Sequence, residues 1–172
     1  MLETIFSRVS TRDFTDEEIS PEELNQILLA GMAAPVGRAK YDTLNLTVVT
    51  NAELLKEISN AEDYSGTRPR APLYGAKTLI IVSSKLADKP DIEYSNVGSI
   101  IQTMALAARG LNLGSIYLWT CISTLKRHPE IVAKLDLPEG FTPISALGVG
   151  YSKTTLETHT RPRHVISVNR IN

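Results

Sequence analysis

Apolar and polar positions alternate along this chain in two distinct rhythms. Leu24, Ile27, Leu28 and Gly31 recur three and four apart, which places them on one face of a helix. Ser20-Pro21-Glu22-Glu23 starts that helix: Ser20 caps, Pro21 fits the first turn, and Glu23 completes a capping box. The helix stops near Ala34-Pro35, because a residue before proline avoids the helical region. Leu44, Leu46 and Val48 alternate with Asn45 and Thr47, the pattern of a half-buried strand. Asn51 caps a short helix through Ile58. The unbroken apolar run from Thr78 to Ser83 fits a central strand buried on both faces. A long helix follows from Ser95 to Arg109, with Val97, Ile100, Ile101, Met104, Ala107 and Ala108 on its packed side and Gly110 placed to end it. Gly114 to Trp119 reads as a strand, Pro129 to Lys134 as a short helix, and Pro143 to Gly150 as the last strand of the main body. From Thr160 the tail is rich in Arg and Pro, then alternates weakly through Val165, Ser167 and Val168.

These elements do not follow a strict strand-helix-strand order. Two helical segments precede the first strand, and the tail is extended. The pattern therefore predicts an α+β fold, a mixed or antiparallel sheet with helices around it, over a doubly wound parallel sheet. A chain of 172 residues suits one domain spanning 1–172, or one subunit of a small dimer. No repeat, low-complexity tract or linker divides it.

Composition narrows the choice of partners. The net charge is -1, which gives no electrostatic reason for nucleic acid or an anionic membrane as the main partner. The single cysteine, Cys121, makes neither an intrachain disulfide nor a cysteine-based metal site by itself. His128, His159 and His164 lack metal-ligand spacing, so no metal is expected. The densest apolar run, Leu79 to Val82, is far too short for a membrane span, and the N-terminus has no signal-peptide pattern. A cytoplasmic setting is the default expectation.

Two basic segments carry the candidate chemistry. In Ser7-Arg8-Val9-Ser10-Thr11-Arg12-Asp13-Phe14, two arginines four apart flank a serine. On a loop, both guanidinium forks and the Ser10 hydroxyl can converge on one phosphate, for which a planar fork is the suited donor. The same spacing also fits a solvated turn with Asp13, Asp16, Glu17 and Glu18 as partners. Arg161-Pro162-Arg163 is a second pair, with a backbone stiffened by proline, and it fits a solvated tail equally well. No Gly-x-Gly-x-x-Gly, Gly-Lys-Ser/Thr or Gly-x-Ser-x-Gly motif occurs, which argues against a dinucleotide fold, a P-loop and serine hydrolysis. His128, before Pro129, reads as a surface residue.

Taken in order, these segments resemble the FMN-dependent nitroreductase family. Arg8-Val-Ser-Thr-Arg12-Asp-Phe14 resembles its N-terminal flavin-phosphate motif. The helix from Ser20 and its Ala33-Ala34-Pro35 turn, the Tyr74 to Val82 strand, the Asn96 to Gly114 helix and turn, and Leu137 through Tyr151 resemble the elements that follow. Arg161-Pro-Arg163 falls where the family has a second basic pair. The resemblance implies an α+β homodimer with FMN at the subunit interface and a C-terminal tail exchanged between subunits. Arg8, Ser10, Arg12, Arg161 and Arg163 would hold the phosphate, with Val9 also in the cofactor site. Pro35, Val36 and Gly37 would approach the flavin from the partner, and backbone groups around Trp119 and Thr120 would face its N5 edge. NAD(P)H would be the donor and a nitroaromatic, quinone or similar small molecule the acceptor, in a ping-pong cycle with the flavin and no catalytic side chain. Alternatives on the same fold are dehalogenation, dehydrogenation, flavin fragmentation, or non-catalytic flavin binding.

The chain departs from that pattern twice. Val36 to Thr43 replaces a common Ser-x-Asn-x-Gln-Pro-Trp stretch, with Arg38 and Lys40 as substitutes for its polar contacts or as part of a solvated loop. Trp119-Thr120 stands where relatives often have Gly-Gly or Glu-Gly, and Trp119 would either narrow the substrate face or fill the core. Arg68 and Arg70 are further candidates to reach the flavin ring.

Overall fold

Hydrophobic alternation within one strand sets the layers of this protein. In β2 (Thr78–Ser84) every residue is buried, and successive side chains point to opposite faces. Ile80 and Val82 join one apolar cluster, while Leu79 and Ile81 join the other. A strand buried on both sides needs cover on both sides, which is why the sheet lies between two helical layers. The computed structural model describes residues 1–61, 73–85 and 90–171. Arg68 and Arg70 lie outside the described residues.

Four strands form the sheet in the order β1 (Leu44–Val49), β2, β4 (Thr142–Gly150) and β3 (Gly114–Leu118). All three pairings are antiparallel, so the sheet is the antiparallel form of the α+β arrangement expected. The register sets Val48 opposite Ile80, Ile81 opposite Ala146, and Ile116 opposite Gly148. On one face lie α2 (Pro21–Met32) and α4 (Pro90–Gly110), which bring Ile27, Ile101 and Met104 against Ile80, Leu147 and Val149. On the other lie α3 (Ala52–Asn60), α5 (Thr120–Leu125) and α6 (Pro129–Ala133), with Ile58, Ile122, Leu125 and Ile131. Each fully buried aliphatic side chain contributes about 1.5–3 kcal/mol. A short helix α1 (Leu2–Ser7) precedes all of these.

The caps follow the sequence closely. Ser20 Oγ accepts from Glu23 N at 3.1 Å, and Glu23 returns the bond to Ser20 N at 2.8 Å. The Ser20 backbone bond holds the Glu23 carboxyl below its ordinary range. Tyr151 donates its hydroxyl to the same carboxylate at 3.0 Å, tying the start of α2 to the end of β4. Asn51 accepts from Leu54 N at 2.9 Å and caps α3. Where α2 crosses α4, Gly31 has no side chain for a reason: a Cβ there would stand 2.8 Å from Met104 Cγ.

Several boundaries differ from expectation: α4 begins at Pro90, ahead of the expected Ser95. Gly110 is the last helical residue of α4, and the reversal falls at Asn112, whose φ is 60°. Leu113 N bonds back to Ala108 O at 2.8 Å and Asn112 N to Arg109 O at 3.1 Å, the paired bonds of a Schellman ending. Asparagine tolerates this conformation better than other residues with a Cβ, and the extra turn sends Leu113 into the core. The strand predicted through Trp119 ends at Leu118, because Trp119 is already the N-cap of α5. Cys121, Ile122 and Leu125 bury one side of that unanticipated helix.

Past Ser152 the tail forms no strand, and Val165, Ile166, Val168 and Ile171 are 76–92% exposed. Among the described residues no helix is long and apolar enough to cross a membrane.

Cys121 is buried in the α3–α5 cluster, and desolvation pushes its thiol up to about 12. Its thiolate fraction at pH 8 is then on the order of one part in ten thousand. Iodoacetamide at pH 8 should modify the native protein very slowly and the denatured protein fully, as read by intact mass. Rapid alkylation of the folded chain would contradict this placement.

Candidate functional site

The N-terminal basic segment is fixed to the sheet by its backbone. Ser7, the last residue of α1, is buried, and Arg8 leaves the helix in an extended conformation with φ -65° and ψ 125°. Ser10 then forms a parallel bridge to Ser115 on β3, and Thr11 N donates to Ser115 O at 2.9 Å. Further on, Phe14 bridges Ser152 and Thr15 N donates to Tyr151 O at 2.9 Å. Thr11 and Phe14 point inward and are buried, which leaves Arg12 outward and exposed. Gly114 makes the close approach possible. A Cβ there would lie 2.7 Å from Thr11 Oγ1 and 2.9 Å from Thr11 Cγ2. Thr11 Oγ1 itself is buried without a hydrogen-bond partner among the described residues.

The C-terminal basic segment is brought back by two anchors. Arg109 Nη2 on α4 donates to the carbonyls of Leu156 at 3.1 Å and Glu157 at 3.3 Å. The buried Ser7 hydroxyl accepts from His159 N at 2.7 Å. Arg163 then hydrogen-bonds the His159 ring at Nε2 and stands 3.8 Å from the Glu157 carboxylate.

These two anchored segments face each other across a cavity of about 570 Å³. Arg8, Val9, Ser10 and Arg12 line it from one side, and Pro162, Arg163 and His164 from the other. Arg161, also a candidate, is exposed and does not line it. Two of the four acids that would have neutralised the N-terminal arginines are engaged elsewhere: Asp13 pairs with Lys153 at 2.8 Å and Asp16 with Lys77 at 3.0 Å. Among the described residues neither Arg8 nor Arg12 has a carboxylate partner. Unopposed guanidinium groups around one concavity are a site for an anion.

Ser10 and Arg12 also line a second cavity of about 180 Å³. Its other walls include Tyr117 of β3, Trp119, Thr120 of α5 and Tyr74. Trp119 is therefore not a core residue, the second of the two fates left open by its sequence. The exposed aromatic at Tyr117 had a legible cue, because Ile116 and Leu118 on either side belong to the buried face. Pro162 and His164 had none beyond proximity to the arginines.

The Pro35-Val36-Gly37 turn lies apart from both cavities in this chain. It follows α2, and Gly37 N donates to Asn96 Oδ1 of α4 at 2.8 Å. Arg38 and Lys40, next to it, are exposed, and Arg38 has a φ of 58°. His128 sits at the start of α6 with its ring 3.1 Å from the Glu130 carboxylate, away from either cavity.

The model of the nitroreductase family matches residues 5–151, from α1 to the end of β4. A protein of Archaeoglobus fulgidus, provisionally named an NADH dehydrogenase/NAD(P)H nitroreductase, is 29% identical over 153 residues, covering 88% of this chain and 85% of its own. The solved structure of a nitroreductase with bound FMN from Desulfitobacterium hafniense superposes with a TM-score of 0.84 at 27% identity, covering 99% of this chain and 97% of that one. Another nitroreductase with bound FMN, from Bacteroides fragilis, gives 0.80 at 28% identity over 98% of each chain. A match that takes in all four strands and the Arg8–Arg12 segment settles the assignment: this chain belongs to the nitroreductase family.

Proposed function

We propose that this chain is one subunit of a homodimeric, FMN-dependent oxidoreductase that moves reducing equivalents from NAD(P)H to a small acceptor such as a quinone or nitroaromatic. The observation that carries this reading is the convergence of Arg8, Arg12 and Arg163 with Ser10 on one cavity. The FMN-bound solved relatives and the NAD(P)H-linked name of the archaeal relative support it.

The residues present fit a flavin phosphate. Arg8 and Arg12 have forks free of carboxylates among the described residues, and Ser10 adds a hydroxyl between them. Arg163 closes the cavity from the tail, its guanidinium steadied by His159. Hydrogen bonds to a charged group contribute about 1.5–3 kcal/mol each before ordering costs. When bound, FMN supplies the redox chemistry, accepting a hydride from the nicotinamide and passing it on to the acceptor.

The protein's own part is to bind, orient and exclude water. Ser10 and Arg12 line both cavities, so a group held by its phosphate in the larger extends toward the smaller, beside the backbone of Trp119 and Thr120. No side chain is assigned as general acid or base. The Pro35-Val36-Gly37 turn, remote within one chain, is assigned to the partner's site across the subunit boundary. The apolar tail supports a dimer too: four exposed Val and Ile side chains gain cover when the tail lies on a second copy. The 172 residues then act as a single FMN-binding unit.

Two substitutions test the cofactor site. Arg8→Ala with Arg12→Ala removes two charged donors, which should weaken FMN binding by about a hundredfold or more while the far-UV circular dichroism is kept. The measurement is flavin retained through gel filtration, read from the visible spectrum. Full occupancy in the double variant would reject the phosphate assignment. Gly114→Ala places a methyl against Thr11 and pushes the whole 8–12 segment off β3. It should lower flavin retention although residue 114 lines neither cavity. Unchanged FMN affinity there would show that the segment's docking does not set the site.

A further inference from the structure

The Pro35-Val36-Gly37 turn runs into a loop whose backbone is held against its own preference. Arg38 and Ala39, in succession, have φ of 58° and 53°. This left-handed region favours glycine, and two neighbouring residues with a Cβ persist in it only where the surroundings fix them. Three groups do the fixing. The Tyr41 hydroxyl donates to Ala34 O at 3.2 Å and closes the loop on itself. At the far end the Thr43 hydroxyl donates to Lys40 O at 2.7 Å and lies 3.3 Å from the Glu93 carboxylate of α4. At the near end Asn96 Oδ1, one turn further along α4, accepts from Gly37 N at 2.8 Å. The turn sits tight against that helix: a Cβ on Gly37 would stand 3.0 Å from Ile92 Cγ2 and 3.4 Å from Asn96 Oδ1.

Of these groups, Asn96 makes least sense as a contributor to stability. It is buried, and its Nδ2 has no hydrogen-bond partner among the described residues. A buried amide that pairs one group and strands the other costs folding free energy. The bond it does make goes to the N–H of an exposed residue, which water would serve as well. An aliphatic side chain would occupy the site without the stranded donor. Glu93 is different, because its carboxylate takes a 2.7 Å bond from Ser84 and so ties α4 to β2. What the Asn96 amide alone supplies is a fixed point for the turn.

We propose that Asn96 is a positioning residue: through Gly37 it sets how the Pro35-Val36-Gly37 turn lies on α4, and so the face that this turn offers to the flavin ring bound across the subunit boundary. This rests on the flavin reading above. The three turn residues carry no charge, so their contact is with the ring and not with the phosphate, which has its own arginines. The two ends of the cofactor are then held separately, the phosphate by the arginine cavity of one subunit and the ring by a turn that α4 of the other keeps in place.

Asn96→Leu keeps the branched shape, removes the acceptor and removes the stranded donor with it. The flavin-free protein is titrated with FMN and with riboflavin, and the thermal midpoint and sedimentation of the same sample are recorded. The expected result is about a tenfold loss of affinity for both flavins, with their ratio within about twofold of wild type. The thermal midpoint should not fall, and the dimer should be kept. Unchanged affinities overturn the proposal. A fall confined to FMN does so too, because the phosphate cleft would then be what moved. So does a fall that comes with a lowered midpoint or with dissociation, since Asn96 would then be a merely structural residue. Gly37→Ala approaches from the other side: its methyl presses on Ile92 and lifts the turn while the core of α4 is untouched. It should reproduce the loss for both flavins, and normal affinities in that variant reject the proposal even where Asn96→Leu does not fold. A wild-type protein that binds neither flavin sinks the flavin reading and takes this proposal with it. Wild-type binding that both variants match sinks the role of Asn96 alone.

Discussion

The close contact between residues 10–15 and the edge of the sheet is the constraint on which the candidate site depends. Thr11 lies directly over Gly114, and its backbone N–H is fixed to Ser115. That contact decides which side chains of the segment turn inward and which turn out. Thr11 and Phe14 are consumed by packing, so Arg8, Ser10 and Arg12 are left for a ligand. A side chain larger than hydrogen at 114 would undo this arrangement at its base, because the nearest atoms belong to a buried, short, β-branched residue with nowhere to move.

The rest of the fold serves to bring the far end of the chain to the same place. The long α4 contributes Arg109, whose guanidinium holds two carbonyls of the tail, and α1 contributes the buried Ser7 hydroxyl. A charged donor and a neutral hydroxyl acceptor thus spend their bonds on backbone, and Arg163 is delivered without needing regular structure around it. The two-sided core behind β3 keeps the edge rigid. Ile116 and Leu118 face the α3–α5 cluster, while Val149 and Leu147 of the neighbouring strand face α2 and α4. Rigid elements under a site matter because catalytic geometry tolerates little displacement.

Much of this was legible in the residues themselves. The capping box at Ser20 and Glu23, the cap at Asn51 and the apolar run of β2 are local features, and each appears where local physics puts it. The Arg8-x-Ser10-x-Arg12 spacing was also a local cue. Other parts were not local. The Ser7–His159 clamp joins residues 152 apart in sequence, and neither has a neighbourhood that announces it. Arg161 and Arg163 are indistinguishable on paper, since a coil has no period to say which faces inward. Asn112 took the reversal that Gly110 seemed suited for, because the register needed to bury Leu113 outweighed the ease of a glycine turn. The short α5 escaped notice because six residues offer less than two turns of pattern.

The central claim is that this cleft grips a dianionic phosphate. The most direct test compares equilibrium affinities of the apoprotein for FMN and for riboflavin, which differ only by that group. The account predicts that FMN binds at least about a hundredfold more tightly, and that added salt narrows the gap. Equal affinities for the two flavins, or no affinity for either, would contradict it.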